Sequence, residues 1–183
     1  LEFPNLHLPL LKHLFKQKIF VLAMKFLEDK IEKFSEHHLT AMAHILQITP
    51  HTVLKMNIDK VGPILFKCIE TGSDAAHPHP TRVLLSLKIL NNFTLEMHDF
   101  ILTNLNKLIK IFLNLTTFKL SMEVRVMACN CLESTTKFPL FTLVPFKEEV
   151  THELATALDD NKRLVRTAAV NARMAWFMLG ENA

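Results

Sequence analysis

Glycine is scarce in this sequence, with only three glycines in 183 residues, far apart at Gly62, Gly72 and Gly180. A phosphate-cradling loop needs several glycines close together, so the sequence excludes that class of nucleotide site. Strand-rich proteins of this size usually have more turn glycine and more alternation of β-branched residues. The shortage of glycine therefore favours an all-α fold.

Cysteine is equally scarce: Cys68, Cys129 and Cys131 form no Cys-x-x-Cys pair. An odd number of cysteines, without a signal-like start, predicts free thiols in a reducing compartment. Cys129 and Cys131 are two positions apart on a predicted helix, so their side chains point about 200° apart and cannot grip one metal ion. We expect these thiols to pack in the core.

Long uninterrupted hydrophobic runs are missing, since even residues 101–115 are broken by Lys107 and Lys110. A membrane span needs about 18 or more apolar residues, so we expect no spanning helix and no membrane partner. The net charge of +3 permits local basic patches without requiring a polyanionic partner.

Apolar residues are abundant, at 49% of the chain, and they recur at helical spacing. Ser35, Asn57 and Ser121 are predicted N-caps, and Thr49-Pro50 ends a helix. Residues 71–80 form the one convincing loop, and Gly180 is a natural C-cap. The predicted buried stripes contain Ala23, Leu27 and Ile31; Leu39, Ala43, Ile45 and Leu46; Val61, Leu65 and Ile69; Leu105, Ile109 and Leu113; and Val150, Leu154 and Leu158.

The helices repeat with a regular period. The first helix of each pair aligns on Leu39, Val83, Val124 and Val165, in steps of 44, 41 and 41 residues. The second helices align on Ala23, Val61, Leu105 and Val150, in steps of 38, 44 and 45. Two helices in about 40 to 47 residues are typical of HEAT and armadillo arrays. The alternative is an irregular bundle, but the Val-Arg-x-x-Ala signature at Val124 and again at Val165 favours the repeat.

The predicted fold is an all-α HEAT/armadillo-type superhelical solenoid of stacked antiparallel helix pairs, in one domain covering 1–183. The approximate units are 4–34, 35–70, 81–118 and 121–159, followed by a capping helix over 161–179. Trp176 and Phe177 are expected to seal the last unit. The apolar start around Leu11 and Phe15 is expected to pack against a preceding repeat of a longer solenoid.

Catalytic and metal-binding patterns are weak. His77-Pro78-His79 lies in the predicted loop without enough ligands for a tetrahedral site, so solvated histidines are expected. His37 and His38 lack an H-E-x-x-H context, and no serine sits on a nucleophile elbow. We therefore predict no enzyme, no cofactor and no metal site.

Two groups of residues are candidates for binding a protein partner. The inner surface of the array, formed by the second helices, offers Lys67, Asn106, Lys110, Glu149, His152 and Glu153. The last helix offers Arg166, Arg173 and Trp176; Arg166 and Arg173 are seven apart and share a face. For Arg166 a structural pairing with Asp159 or Asp160 is the favoured alternative. The helix with Lys107, Lys110 and Lys119 is interpreted as a solvated face, with a groove as the alternative.

The segment from about Leu143 to Gly180 resembles the C-terminal end of one family, the MMS19-type HEAT-repeat scaffold subunit of the cytosolic iron–sulfur cluster assembly targeting complex. The resemblance rests on Ala157-Leu158-Asp159-Asp160, Lys162-Arg163-x-Val165-Arg166, Ala169-Val170-x-Ala172-Arg173 and Trp176-Phe177-x-Leu179-Gly180. Residues 1–140 fit the family only as HEAT repeats of the right order. Thr167-Ala168 stand where many relatives have Lys-Glu, so a contact of that charged pair cannot be transferred.

The resemblance implies a non-catalytic adaptor that holds no cluster itself. It implies three kinds of partner: a small MIP18-type (DUF59) protein, a WD-repeat propeller subunit, and apo iron–sulfur clients such as DNA helicases and polymerases. It also implies a location in cytoplasm and nucleus. The alternatives are a different helical-repeat carrier, such as a transport receptor or phosphatase-type scaffold, a nucleic-acid binder using the lysine helix, and a metal or thiol enzyme.

Overall fold

A computed structural model describes residues 8–28, 35–96 and 99–180 of this chain, and structural statements refer to these ranges. No strand occurs in them, so the predicted all-α class is confirmed. A short 3-10 turn covers Val144–Phe146. The described α-helices are α1 (Leu8–Glu28), α2 (Glu36–Ile48), α3 (His51–Met56), α4 (Ile58–Gly72), α5 (Pro80–Leu95), α6 (Asp99–Thr103), α7 (Leu105–Thr116), α8 (Met122–Thr135), α9 (Leu140–Leu143), α10 (Lys147–Leu158) and α11 (Arg163–Phe177).

The helices form two layers. In the first layer α2, α5, α8 and α11 follow one another, each packed on the next. The second layer contains α4, α6, α7 and α10, and α4, α7 and α10 pack against α5, α8 and α11 respectively. Helix α1 packs on α2. Each pair thus covers the face that its neighbour leaves open, which is the arrangement of a helical-repeat solenoid.

Two hydrogen bonds within the first layer reveal the register of the stack. The Cys131 thiol donates to the Leu87 carbonyl at 3.7 Å, and the Trp176 indole Nε1 donates to the Leu132 carbonyl at 2.7 Å. Both bonds join residues that are 44 positions apart. Helices α5, α8 and α11 are therefore stacked one repeat apart, within the period of about 40 to 47 residues that the sequence indicates.

The core lies between the two layers. The aligned first-helix residues Leu39, Val83, Val124 and Val165 are all buried, as are Val61, Leu105 and Val150 in the second layer. The small residues Ala128, Ala168, Ala169 and Ala172 are buried in α8 and α11, two helices that pack against each other. Small side chains at this contact allow the two helices to approach closely. No described helix combines the length and apolar character needed to span a membrane.

Some predicted elements differ from the structure. The apolar start around Leu11 and Phe15 and the helix predicted from the stripe at Ala23 form one continuous helix, α1, with Phe20 and Met24 on its buried face. Ala23 only packs at the edge of the core, and Ile31 lies outside the described residues. The six-residue helix α3 was not predicted, since six residues are too few to display a helical period.

The helical pattern that contains the stripe of Leu105, Ile109 and Leu113 extends back to residue 99, but the structure breaks it at Asn104, between α6 and α7. The Asn104 side chain donates to the Phe100 carbonyl at 2.9 Å, and this local bond competes with the helical pattern. Ser121 is a true cap, because its hydroxyl accepts a hydrogen bond from the Val124 amide. Ser35 and Asn57 occupy N-cap positions but form no capping bond. The unit boundaries stay a prediction, and residues 4–7 and 29–34 of the first unit lie outside the described residues.

Candidate protein-binding site

The second-layer candidates lie on three helices. Lys67 is on α4, Asn106 and Lys110 are on α7, and Glu149, His152 and Glu153 are on α10. All are exposed except Lys67, which is half-buried. His152 and Glu153 interact with each other, with Nδ1 and Oε1 3.3 Å apart. These side chains form a polar surface without a large apolar residue among them.

The lysine helix is less basic than its own sequence suggests, because the neighbouring helix contributes an acid. Lys107 on α7 forms an ion pair with Glu70 on α4, with Nζ and Oε1 2.8 Å apart. The same ammonium lies 4.4 Å from the centroid of the Phe66 ring. Lys110 and Lys119 are exposed. The positive charge is thus divided rather than presented as one patch.

A groove runs between α4 and the α6–α7 segment and has a volume of about 850 Å³. We call it the α4–α7 groove; it is lined by Ile58, Asp59, Pro63, Phe66, Lys67, Glu70, Thr71, Asp99, Phe100, Thr103, Asn104 and Lys107. Most of its lining surface is apolar. A second depression of about 410 Å³ continues it along α4 and α7 and shares Glu70 with it.

The floor of the α4–α7 groove depends on Gly62. The Phe100 ring lies so close to the Gly62 Cα that a β-carbon at this position would overlap it. Phe100 also packs beside Phe66, with ring centroids 5.8 Å apart and planes tilted by 32°. Glycine at position 62 therefore allows α6 to place an aromatic ring directly on α4.

The two arginines of α11 make internal contacts. Arg166 Nη1 donates to the backbone carbonyl of Asp160 at 2.7 Å, and Arg173 Nε donates to the Thr151 carbonyl at 2.9 Å. Arg166 is exposed, whereas Arg173 is half-buried between α10 and α11. Arg166 thus makes the structural contact with the junction that the sequence offers as an alternative. Its partner is the backbone carbonyl of Asp160 and not a carboxylate.

Trp176 does not belong to the surface. Its side chain is fully buried, and its only polar atom is bonded to Leu132 on α8. A ring with no exposed area offers nothing to a partner, so this predicted binding residue is a core residue. Phe177, predicted to seal the last unit together with Trp176, is instead 59% exposed.

An apolar strip follows the outer face of α11 and its C-terminal turn. It consists of Val170, Met174, Phe177 and Met178, which recur at helical spacing. Met174 is 64% exposed. Together with Leu158 and Arg173 these residues line a shallow depression of about 260 Å³. We call this surface the α11 strip; exposed methionine, aromatic and arginine side chains are the composition that protein interfaces favour.

The junction before α11 is held by an ion pair between repeats. Arg125 Nε on α8 lies 2.7 Å from Asp160 Oδ2, and Arg125 Nη2 donates to Oδ1 at 3.2 Å. Burial by itself raises the pKa of Asp160, but hydrogen bonds from the Lys162 amide and from Arg125 outweigh it and lower the pKa overall. The pair fixes the turn from which α11 starts.

The thiols and the loop histidines have structural surroundings. All three cysteines are buried, and burial raises the pKa of Cys68 to about 11 and that of Cys129 to about 12. His79 was expected to be solvated, but its Nε2 lies 2.8 Å from Glu36 Oε2. This hydrogen bond lowers the pKa of Glu36. Among the described residues no group of three or more His, Cys, Asp or Glu could hold a metal ion.

Sequence reasoning missed both the aromatic groove floor and the α11 strip. Phe66 and Phe100 occur within apolar helical patterns, which predict burial and give no sign of a groove between helices. For the α11 strip a signal was available: Val170, Met174 and Phe177 recur at i, i+4 and i+7, on a different face from Ala169, Ala172 and Trp176. Helix α11 is at the end of the described stack, so no described helix covers this second apolar face.

A family model described as "RNAPII transcription regulator C-terminal", MMS19_C, matches residues 10–136. This match covers the upstream repeats and not the segment after Leu143, whose motifs carry the resemblance.

Individual relatives agree with the family model. The chain is 40% identical to the MMS19 nucleotide excision repair protein of Drosophila melanogaster over 181 residues, which is 98% of this chain and 18% of the relative. It is 33% identical to the Homo sapiens homolog over 144 residues, 79% of this chain and 13% of that protein. The Arabidopsis thaliana homolog is 28% identical over 173 residues, 91% of this chain and 15% of that protein. The chain thus spans less than a fifth of the length of these relatives.

Proposed function

Because this chain belongs to the MMS19 C-terminal family, we propose that it acts as a non-catalytic adaptor in cytosolic and nuclear iron–sulfur protein maturation. The matching relatives are named nucleotide excision repair proteins, and the family is associated with DNA repair. In the proposed role the chain binds a MIP18-type subunit, which delivers the cluster. A WD-repeat propeller and apo clients such as DNA helicases and polymerases complete the assembly.

The observation that carries the proposal is the α11 strip. A docking site for a folded partner needs apolar and aromatic side chains that lose water on contact, because a few such residues supply most of the binding energy. Met174 and Phe177 are exposed side chains of this kind, and Arg173 lies beside them. The second-layer candidates are polar and charged, which suits the rim of an interface better than its centre.

The thiols support a binding role over a thiol enzyme. A nucleophilic cysteine requires a lowered pKa and access to substrate. Cys68 and Cys129 have raised pKa values and are buried, and Cys131 is fully enclosed with its pKa also raised by burial. These three residues are core residues of α4 and α8.

A pull-down with a purified MIP18-type protein tests the proposal. Lys110→Glu reverses a charge on the second layer, whereas Met174→Glu places a charge in the α11 strip. We expect Met174→Glu to abolish capture and Lys110→Glu to leave it unchanged. Arg173→Glu is a weaker choice, since it also removes the bond to Thr151. If neither substitution alters capture, the placement of the site fails; if the unmodified chain captures no MIP18-type protein, the adaptor proposal itself fails.

A further inference from the structure

The α4–α7 groove is a second site with its own geometry. The α6–α7 segment runs parallel to α4, because Phe100 lies beside Gly62 near one end and Lys107 pairs with Glu70 near the other. From Asp59 to Glu70 the groove follows twelve helical residues, whose eleven rises span about 16 Å. An extended chain rises about 3.3 Å per residue, so about five residues would fill it.

Charge is ordered along this groove. Asp59 and Asp99 lie in the first turns of α4 and α6, at the same end. Within the described residues neither carboxylate forms an ion pair with a cation of this chain. Lys67 and Lys107 line the opposite end, where Lys107 is already paired with Glu70. One end is therefore acidic and the other is mixed.

The middle of the groove is apolar. Exposed Pro63 and half-buried Phe100 line it beside Phe66, which is only 8% exposed and has the Lys107 ammonium above its ring. A volume of about 850 Å³ lies within the usual range of binding pockets, about 300 to 1,000 Å³. The shape suits one or two apolar side chains of an extended segment.

We infer that the α4–α7 groove binds a short extended segment of a partner protein, with a basic side chain at Asp59 and Asp99 and an apolar side chain on Pro63 and Phe100. The two carboxylates select a cation and repel a phosphate backbone, so a peptide fits and a nucleic acid does not. This inference rests on the proposed adaptor function. It specifies which kind of segment a protein partner of the adaptor would insert into the groove. It concerns a surface separate from the α11 strip.

The test uses the 183-residue chain and a fluorescein-labelled peptide, Arg-Gly-Leu-Phe-Gly-Glu. Fluorescence anisotropy gives the affinity, and ¹H–¹⁵N spectra locate the peptide. We expect saturable binding with shift changes in α4, α6 and α7. Replacing the arginine of the peptide by glutamate is expected to weaken binding by about tenfold or more.

The Asp59→Lys/Asp99→Lys double variant is expected to weaken binding to a similar extent. Both positions are exposed, so folding should be retained, and circular dichroism checks this. Glu148→Lys is the matched control, because Glu148 is also an exposed acid in the first turn of a helix and lies outside the groove. Its binding should equal that of the unmodified chain.

Three results would overturn the inference: no saturable binding, equal binding of the arginine and glutamate peptides, or stronger binding of a single-stranded oligonucleotide at this surface. Any of these, with capture of the MIP18-type protein retained, would refute the groove alone and leave the adaptor proposal standing. Loss of that capture in the unmodified chain, with peptide binding retained, would refute the adaptor proposal instead.

Discussion

Trp176 on α11 donates its indole hydrogen to the Leu132 carbonyl on α8, at 2.7 Å across the contact between consecutive repeats. The ring is fully buried, whereas its neighbour Phe177 is mostly solvent-exposed. Two adjacent aromatic residues therefore have opposite roles. Trp176 anchors the last helix to the stack, and Phe177 belongs to the exposed α11 strip.

We predict that Trp176→Ala lowers the free energy of unfolding by about 3 to 5 kcal/mol, because it leaves a large cavity and removes a buried hydrogen bond. Phe177→Ala is expected to change it by less than about 1 kcal/mol, since an exposed ring loses little burial. Urea denaturation followed by circular dichroism measures both. Equal losses in the two variants would contradict the assignment of separate roles.

We predict that Asp160→Asn destabilises the chain by about 1 to 3 kcal/mol at pH 7, because it breaks the ion pair with Arg125. The pKa of Asp160 is lowered in the folded state, so its stabilisation is present above the unfolded pKa of about 4 and is lost as pH falls through the folded pKa. The difference between the unmodified chain and the variant should therefore shrink in acid.

Urea titrations at pH 7 and at about pH 3 measure this difference. Asp159→Asn serves as the control, because Asp159 is exposed and forms no ion pair within the described residues. The stability difference between Asp160→Asn and the unmodified chain could instead stay constant across this pH range. That result would show that the charge of the Asp160 carboxylate does not stabilise the fold.

The packing of Phe100 on Gly62 leads to a prediction of non-additivity. Gly62→Ala should gain about 1 kcal/mol from helix propensity, but the added β-carbon collides with the Phe100 ring, so we expect a net loss of stability. In the Phe100→Ala background the collision is absent, and the same substitution should be neutral or stabilising. Thermal unfolding of the four chains in this double-mutant cycle measures the coupling. An additive cycle would show that the ring moves aside at no cost.

Burial of the three thiols predicts that they react slowly with thiol reagents in the native chain. The pKa values of Cys68 and Cys129 are raised to about 11 and 12, so at pH 8 both groups are protonated as well as enclosed. We expect 5,5′-dithiobis(2-nitrobenzoate) to react slowly with the native chain and rapidly with all three cysteines in denaturant. Fast reaction of the native chain would place at least one thiol at the surface.

Much of the fold follows from periodicity. Spacing alone aligns Leu39, Val83, Val124 and Val165, and all four are buried residues of the first layer. Repeat spacing identifies these positions because each repeat turns the same face of its first helix toward the core. The same rule misses α3, which is too short to show a period, and the break at Asn104, which depends on one side-chain bond.

The candidate site is less accessible to sequence reasoning. The sequence predicts two roles for Trp176, an apolar seal of the last unit and a contact with a partner; the residue is buried, because α8 provides a carbonyl that its indole can reach. Likewise Lys107 looks like part of a basic face, but Glu70 on another helix neutralises it. Both outcomes depend on contacts between residues that are 44 and 37 positions apart, and such contacts are fixed only by the stacking of the repeats.

We propose that the α11 strip binds the MIP18-type subunit, and isothermal titration of the purified subunit into two matched variants tests this proposal most directly. Met174→Glu puts a charge in the α11 strip, whereas Met56→Glu makes the same change at the end of α3, at a methionine that is 87% exposed. The proposed site predicts that Met174→Glu removes measurable binding and that Met56→Glu binds like the unmodified chain. Undiminished binding by Met174→Glu would contradict it.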